Sequence, residues 1–419
     1  MFLKRQYRNI RNVYREYRRS FWILVGATFI DRLGGSLLFP FFALYITQKF
    51  NVGMTEVGIL FGLFSVSSIV GSFIGGALTD RIGRRTMLIF GLLASSFSTL
   101  LMGFVESLEV FYVLALVSGV FTDVAGPAHQ AMVADLLPEN KRAEGFGIIR
   151  VGFNLAVTIG PAIGGFLAAQ SYLLLFITDA VISTLTAFIV FAFLKETKPK
   201  TEPGAPQESM ARTFRGYFVV LRDTSFMLFL GASLLMVLVY MNMNTTLGVY
   251  LRDVHELPES RYGLLLSINA LMVVFLQFPI TRAIRDKTPL IMMAFGAALY
   301  AIGFAMYGFV TGYAAFVFAM VIITFGEMVV SPVAQSLTAA FAPEDMRGRY
   351  MAVSGFSWGI PFMIGPLLAG LVLDNFNPNM LWYIAGFIGV LSTLGFLYLQ
   401  RRTHGLAMRA AATAAAQEA

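Results

Sequence analysis

Ionisable residues lie near the middle of long apolar runs of this chain, at Asp31, Arg32, Asp123 and Glu327, and two more, Arg150 and Asp179, lie nearer the ends of other runs. A charged group at membrane depth costs about 2.5–3.5 kcal/mol on insertion scales, so its presence indicates either a partner or a function. A carboxylate without a basic partner is suited to take up and release a proton near neutral pH. Glu327 has no obvious basic partner in its half of the chain, so we predict that it takes up and releases a proton or a cation.

Asp31 is a second candidate for coupling. Neighbouring residues of a helix do not face each other, so Asp31 and Arg32 are expected to have separate partners. We expect Asp123 to be the partner of Arg32. Whether this ion pair has a functional role or a purely structural one is equally open. His129 is interpreted as a hydrogen-bonded interior histidine.

The elements that must position these groups are membrane-spanning helices. Of the 419 residues, 57% are hydrophobic and 13% are charged, whereas about 25% of a soluble domain is charged. Short alternating strands, which a transmembrane barrel requires, are missing from the pattern. We therefore predict an all-α integral membrane protein with twelve transmembrane helices, at approximately 20–47, 55–79, 86–105, 109–134, 146–169, 172–194, 226–251, 262–283, 289–310, 313–337, 350–373 and 380–400.

The formal net charge of +7 is distributed in a way that indicates topology and not nucleic-acid binding. Basic residues crowd the tail 1–19, the connections after every second span and the segment 195–225, while the intervening loops are nearly bare. This bias predicts a multi-pass protein of the cell (cytoplasmic or inner) membrane with both termini in the cytoplasm. Cysteine is absent, which excludes disulfides and thiolate metal sites.

The two halves of the chain repeat each other. A shift of 205 residues without a gap places Pro127 on Pro332, and Gly160 and Pro161 on Gly365 and Pro366. Six spans per half make the repeats parallel, and two such bundles can expose a central site to either side in turn. We predict a basic tail at 1–19, bundles at 20–194 and 226–402, a cytoplasmic linker at 195–225, and a C-terminal tail at 403–419.

The connection at 75–85, GGALTDRIGRR, combines glycines, one acid and three arginines between two spans. Gly75 and Gly76 are expected to let a neighbouring helix approach closely. This pattern resembles the signature loop of the major facilitator superfamily of secondary transporters. The resemblance implies a latch that closes the cytoplasmic face, made of Gly76, Asp80, Arg81, Gly83, Arg84 and Arg85. We expect Asp80 either to accept hydrogen bonds at the N-terminal end of the helix that starts near Arg349 or to pair with Arg142 or Arg347. The second half has lost it, since position 285 is arginine.

Three further patterns resemble the drug:proton antiporter branch of that superfamily. Asp31 precedes Pro40 in the first span, and Glu327 shortly precedes Ser331 and Pro332 in the tenth. The fifth span carries the antiporter pattern Gly-Pro-x-x-Gly-Gly at Gly160, Pro161, Gly164 and Gly165; plain helix packing is the alternative reading of these residues. Two features depart from the branch: the fourth span lacks its usual arginine, and Ala156 replaces a glycine.

The central cavity is expected to be large and apolar, because the chain has 40 Phe and 21 Met but few polar side chains inside its spans. The polar or amphipathic candidates are Asn154, Asn242, Asn244, Asn269, Gln277, Gln335 and Trp358. Acids in such a cavity favour export of lipophilic or cationic amphiphiles in exchange for protons by alternating access.

We expect small amphiphilic substrates, protons and membrane lipids as partners, no nucleic acid, a monomer, and no cofactor beyond the proton gradient. The alternatives are a lysophospholipid or glycolipid flippase and an uptake symporter for a small metabolite. An integral-membrane receptor or an enzyme is a remote alternative, since no catalytic or metal-binding spacing is present.

Overall fold

The computed structural model describes residues 16–138, 141–198, 218–284, 286–343 and 346–418. These residues form helices and connecting turns, with no strand among them. The side chains of Asp80, 142–144, 339, 347–349, 352 and 404–418 lie outside this description. The all-helical fold class that the composition predicts is confirmed.

Twelve segments within the described residues are long and apolar enough to cross a membrane, as predicted. They are Arg19–Phe50, Met54–Thr79, Arg84–Phe104, Leu108–Leu136, Gly145–Ala168, Tyr172–Phe193, Thr224–Thr245, Glu259–Ile284, Pro289–Met306, Tyr313–Thr338, Phe356–Asn375 and Asn379–Thr403. The eleventh begins later than the expected residue 350, because a break at Gly355 separates a short helix from it.

The helices are labelled in chain order. The first half contains α1 (Arg19–Leu38), α2 (Phe42–Phe50), α3 (Met54–Ile82), α4 (Arg84–Phe104), α5 (Leu108–Val124), α6 (Gly126–Leu136), α7 (Arg142–Ala168) and α8 (Tyr172–Phe193). The second half contains α9 (Thr224–Thr245), α10 (Leu247–His255), α11 (Glu259–Ile284), α12 (Pro289–Met306), α13 (Tyr313–Phe341), α14 (Arg347–Ser354), α15 (Phe356–Asn375) and α16 (Asn379–Glu418).

Proline explains two of the breaks inside spans. Pro40 lies in a short 3-10 segment, Phe39–Phe41, that joins α1 to α2. Pro127 occupies the first turn of α6, where its missing N–H leaves no hydrogen bond unmade. Its repeat partner Pro332 lies inside the continuous helix α13. Both halves therefore have a proline at this position, but only the first half has a helix break there.

The chain divides into two compact units. Unit 1 takes the described residues within 1–51, 63–203 and 258–264, and unit 2 takes those within 52–62, 204–257 and 265–419. In unit 1, α1 packs on α7 and α8, and α4 packs on α5 and α8. In unit 2, α12 packs on α13 and α16, and α9 packs on α15 and α16.

Glycines bring α3 and α5 into backbone contact in unit 1. A Cβ on Gly71 would lie 2.8 Å from the carbonyl carbon of Val120, and one on Gly75 would lie 2.7 Å from that of Val124. A Cβ on Gly76 would have no neighbouring atom within 4 Å. The expected close approach is therefore made by Gly75, and the same expectation was wrong for Gly76, because Gly76 points away from α5.

Candidate functional site

The connection at 75–85 is anchored by a carboxylate that the sequence analysis did not single out. Glu196 follows α8, and its Oε1 and Oε2 accept hydrogen bonds from the backbone N–H groups of Arg84 and Arg85 at 2.9 and 3.2 Å. Burial alone raises the pKa of this carboxyl, but N–H donors from Lys198, Arg84, Arg85 and Thr197 outweigh burial and lower it. Glu196 thus caps α4 as an anion at its N-terminus.

Gly83 makes room for this cap. Its φ of 115° lies in a region that favours glycine, and a Cβ there would lie 2.8 Å from Cδ of Glu196. The conformation and the close approach both explain why the loop pattern places glycine directly before its two arginines.

The arginine side chains of the loop bind within unit 1. Arg84 Nε lies 3.2 Å from Asp135 Oδ2 at the end of α6. Arg85 donates to the carbonyl oxygen of Phe191, and its guanidinium lies 5.0 Å from the centroid of the Phe191 ring. Arg81 is exposed, and its carbonyl accepts a hydrogen bond from Lys198 Nζ at 3.0 Å. These contacts fix the turn between α3 and α4.

The predicted partner choice of Asp80 lies outside the described residues, because the side chains of Asp80, Arg142 and Arg347 are not described. Their backbones are placed at the last turn of α3 and at the first residues of α7 and α14. The latch therefore stays a prediction.

Two acids lie in the interior of unit 1, Asp179 buried and Asp31 half-buried. Asp31 on α1 accepts a hydrogen bond from the hydroxyl of Ser183 on α8 and feels the charge of Arg32, and the Asp31 charge acts in turn on Asp179, one turn before Ser183 on α8. Asp179 is only 7% exposed, and a Cβ on Gly34 would lie 2.6 Å from its Oδ1. Gly34 therefore leaves the space in α1 that the Asp179 carboxyl fills.

Arg32 and Asp123 do not form the ion pair that we expected. Asp123, at the end of α5, accepts a hydrogen bond from the Ser68 hydroxyl of α3. The Arg32 guanidinium lies 5.7 Å from the ring centroid of Phe153 on α7. The prediction of an ion pair was wrong because the Asp123 carboxyl is bound by Ser68 on α3, whereas Arg32 lies beside Phe153 on α7. His129 is a hydrogen-bonded interior residue as expected, with Nε2 2.7 Å from Thr28 Oγ1.

Glu327 lies in the interior of unit 2 among neutral hydrogen-bond donors. Nδ2 of Asn269, on α11, donates to Glu327 Oε2 at 2.8 Å and also lies 3.1 Å from Thr324 Oγ1. The Tyr240 hydroxyl, on α9, donates to the Glu327 carboxyl as well. Among the described residues Glu327 makes no ion pair, so the expectation that it lacks a basic partner agrees with this geometry.

Two further aromatic side chains lie next to Tyr240, the residue that donates to Glu327. Tyr240 lies 5.5 Å, centroid to centroid, from Tyr300 on α12 and 6.2 Å from Trp358 on α15, the latter at an interplanar angle of 78°. Trp358 is 55% exposed. A carboxylate whose nearest neighbours include aromatic side chains is an arrangement that suits an organic cation.

The remaining cavity candidates differ in their exposure and in whether their N–H groups already donate hydrogen bonds within the protein. Asn154 and Gln335 are exposed. Asn242 is buried and donates to the carbonyls of Leu238 and Val239 in its own helix, so its N–H groups are already used. Gln277 donates to Thr281 Oγ1 and to the carbonyl of Met328 at 2.9 and 3.0 Å.

The Gly-Pro-x-x-Gly-Gly segment of α7 packs on α1. A Cβ on Gly160 would lie 2.8 Å from the carbonyl carbon of Ser36, and one on Gly164 would lie 3.0 Å from that of Leu37. Ser36 Oγ donates to the carbonyl of Ala156 at 2.9 Å. Pro161 lies inside the helix, and Gly165 approaches Gly263. The segment thus serves helix packing, whatever part it has in transport.

Twelve apolar helices, two repeated halves and carboxylates held at mid-span define a membrane transporter. A family model of the Major Facilitator Superfamily matches residues 24–362 and 260–416. The chain belongs to that superfamily, and it is a transporter and not an enzyme.

Relatives and solved structures agree with this assignment. The chain is 29% identical over 412 residues to the "Na(+), Li(+), K(+)/H(+) antiporter" of Planococcus maritimus, covering 92% of this chain and 96% of the relative. It is 26% identical over 382 residues to the "Multidrug resistance protein MdtH" of Escherichia coli, covering 88% and 92%. A mutant of the nucleoside transporter NupG has the same fold, with a TM-score of 0.76 at 11% identity over 91% of this chain and 100% of that one.

Proposed function

We propose that this transporter exports lipophilic or amphiphilic cations in exchange for protons, by alternating access. The observation that carries the proposal is Glu327, which is held by Asn269 and Tyr240 and makes no ion pair among the described residues. A carboxylate kept from water by neutral neighbours is stable when it binds either a proton or a cationic group. Competition between the two for one carboxylate is the simplest chemistry of antiport.

The aromatic side chains near Glu327 support the substrate class. Tyr240 and Trp358 present ring faces that attract a cation, and their apolar surface suits a lipophilic body. The multidrug resistance relative is consistent with such substrates. The Asp31 and Asp179 pair in unit 1 supports a second carboxylate step, because two close acids favour sharing a proton or a cation.

A second candidate is exchange of alkali cations for protons. The name of the Planococcus maritimus relative, an antiporter of sodium, lithium and potassium for protons, favours it. Asp31, Asp179 and the Ser183 hydroxyl together offer the hard oxygen ligands that such ions take. In this second candidate function the alkali cation binds at Asp31 and Asp179 in unit 1, and Glu327 has a supporting role.

The experiment is proton flux in proteoliposomes that contain a pH indicator and start with an acidic lumen. On external addition of ethidium, a lipophilic cation, we expect the lumen of wild-type vesicles to become alkaline faster than that of protein-free vesicles. Glu327→Gln should abolish this difference. Asp253→Asn, at an exposed acid on α10, should leave it unchanged. Flux with sodium, lithium or potassium but not ethidium would favour the second candidate.

The proposal fails if neither addition moves protons while a fluorescent lysophospholipid crosses the bilayer, since that result identifies a flippase. We further propose the cell membrane as the location, with both termini cytoplasmic, because the basic residues crowd that side. Single cysteines introduced into the cysteine-free chain at Asn51 and at Lys287 test this by labelling from opposite sides of the membrane.

A further inference from the structure

Asp374 binds the first turn of helix α3. The backbone N–H of Met54 donates to its Oδ1 at 2.9 Å, and the N–H of Thr55 donates to its Oδ2 at 2.7 Å. The first N–H groups of a helix have no partner within the helix, and a negative charge there also suits the helix dipole. Asp374, at the end of α15, thus caps a helix that lies far from it in sequence.

Glycines bring the two backbones into contact around this cap. A Cβ on Gly370 would lie 2.6 Å from the backbone nitrogen of Thr55, and one on Gly58 would lie 2.8 Å from the carbonyl carbon of Pro366. The contact belongs to unit 2, which contains residues 52–62 as well as α15. From Leu63 onward, however, α3 belongs to unit 1. The first residues of α3, up to residue 62, therefore belong to unit 2, and the rest of the helix belongs to unit 1.

The residue pattern of this cap is the pattern of the loop at 75–85. Gly370 and Asp374 have the spacing of Gly76 and Asp80; the first pair contacts the first turns of α3, and the second pair lies near its C-terminal end. They are not repeat copies, because the shift of 205 residues places Ala169 on Asp374 and Arg285 on Asp80.

The shift of 205 residues relates this contact to the one between Gly165 and Gly263 in unit 1, which has no carboxylate at the position of Asp374. A Cβ on Gly165 would lie 3.0 Å from Cα of Gly263, but Ala169 stands where the second half has Asp374. Neither of these two Gly-x-x-x-Asp pairs thus has a copy at the equivalent position of the other half.

We propose that Asp374, Gly370 and Gly58 form a releasable cap that holds residues 52–62 in unit 2 and lets them go in the transport cycle, as the counterpart of the latch at the other end of α3. Asp374 is exposed, and so is its hydrogen bond to the N–H of Thr55, so water can replace the carboxylate at that N–H at little net cost. The glycines let the two backbones approach closely but bring few side-chain atoms together. Separating the helices therefore exposes little side-chain surface, which also makes the contact reversible. The inference does not depend on the substrate.

The experiment measures the distance between spin labels on cysteines placed at Ile59 and Phe376, which are both exposed, in the otherwise cysteine-free protein. Pulsed electron spin resonance on the protein in lipid nanodiscs should give a short distance for the capped state and a longer one for the released state. Asp374→Asn should raise the ratio of released to capped protein by about threefold to fivefold, the loss expected for a carboxylate at a helix N-terminus. Asp253→Asn removes the same charge from α10 and should leave the ratio unchanged.

Gly370→Ala tests the close approach independently, and Gly359→Ala is its matched control. The added methyl group meets the backbone of α3 at Gly370, whereas nothing lies within 4 Å of it at Gly359. We expect release in the first variant and wild-type distances in the second. If Gly370→Ala does not elute as a folded protein, Asp374→Asn alone decides. Identical distance distributions for Asp374→Asn and the wild type would overturn the proposal.

Discussion

Asn269 donates a hydrogen bond of 2.8 Å to Glu327 and thereby joins the middle of α11 to the middle of α13. The same amide nitrogen lies 3.1 Å from Thr324 Oγ1, one turn before Glu327 on α13. An amide can donate to the carboxyl group without neutralising its charge. Asn269 therefore orients Glu327 but leaves it free to exchange a proton or a cation.

Asn269→Ala should reduce ethidium-driven proton flux about tenfold or more, because a hydrogen bond to a charged group contributes about 1.5–3 kcal/mol. Asn242→Ala is the matched control, since that buried amide bonds only to carbonyls of its own helix. The measurement is the initial rate of proton flux in proteoliposomes at equal protein content. Equal losses in the two variants would assign Asn269 a merely structural role.

Gly75→Ala should destabilise the protein, whereas Gly76→Ala should not. The methyl group on residue 75 meets the carbonyl of Val124, and on residue 76 it meets open space. Overpacking of this kind costs about 1–3 kcal/mol. Thermal unfolding in detergent measures the difference. A lower melting temperature for Gly76→Ala than for Gly75→Ala would contradict the packing of α3 on α5.

Glu196→Gln should lower the melting temperature at neutral pH by about 2–4 °C, because it weakens the cap of α4. The pKa of Glu196 is lowered on folding, so its contribution is fully present above the ordinary value of 4.5 and is lost as pH falls through the lower folded value. The gap between wild type and variant should therefore narrow below pH 4.5.

The matched control for this pH series is Glu256→Gln, at an exposed acid outside the spans. Its melting curve should follow that of the wild type at every pH. A gap between Glu196→Gln and the wild type that stays constant down to pH 3 would show that the carboxylate does not cap α4.

Asp80→Asn should slow transport while folding and membrane insertion stay intact. The reason is the latch implied by the loop pattern, in which the carboxylate holds the cytoplasmic face closed. Asp286→Asn, in the corresponding connection of the second half, is the control and should transport normally. Transport rates are compared at equal amounts of membrane-inserted protein. Wild-type transport by Asp80→Asn removes the latch hypothesis.

The spans could be predicted because hydropathy and length decide which segments cross a membrane. The break at Gly355 could not, since no proline marks it, and Pro332 in α13 shows that proline alone does not decide a break either. Local sequence sets the tendency of a helix to bend, but neighbouring helices decide whether it does.

The candidate site was predictable at Glu327 and incomplete elsewhere. Glu327 stood out because its half of the chain offers no basic partner at that depth. Asp179 and Glu196 were missed as partners, because their contacts join residues that lie more than a hundred positions apart. Gly34 and Gly83 were the available signals: each leaves space where a carboxylate now lies.

The glycine contacts between α3 and α5 restrict how this part of unit 1 can move. Gly71 and Gly75 are spaced by one helical turn, as are the carbonyl groups of Val120 and Val124 that face them. Because the contacts on the two helices have the same spacing, a small slide of α3 along α5 would make the two backbones collide. Sliding is therefore restricted to steps of four residues, about 6 Å at 1.5 Å per residue.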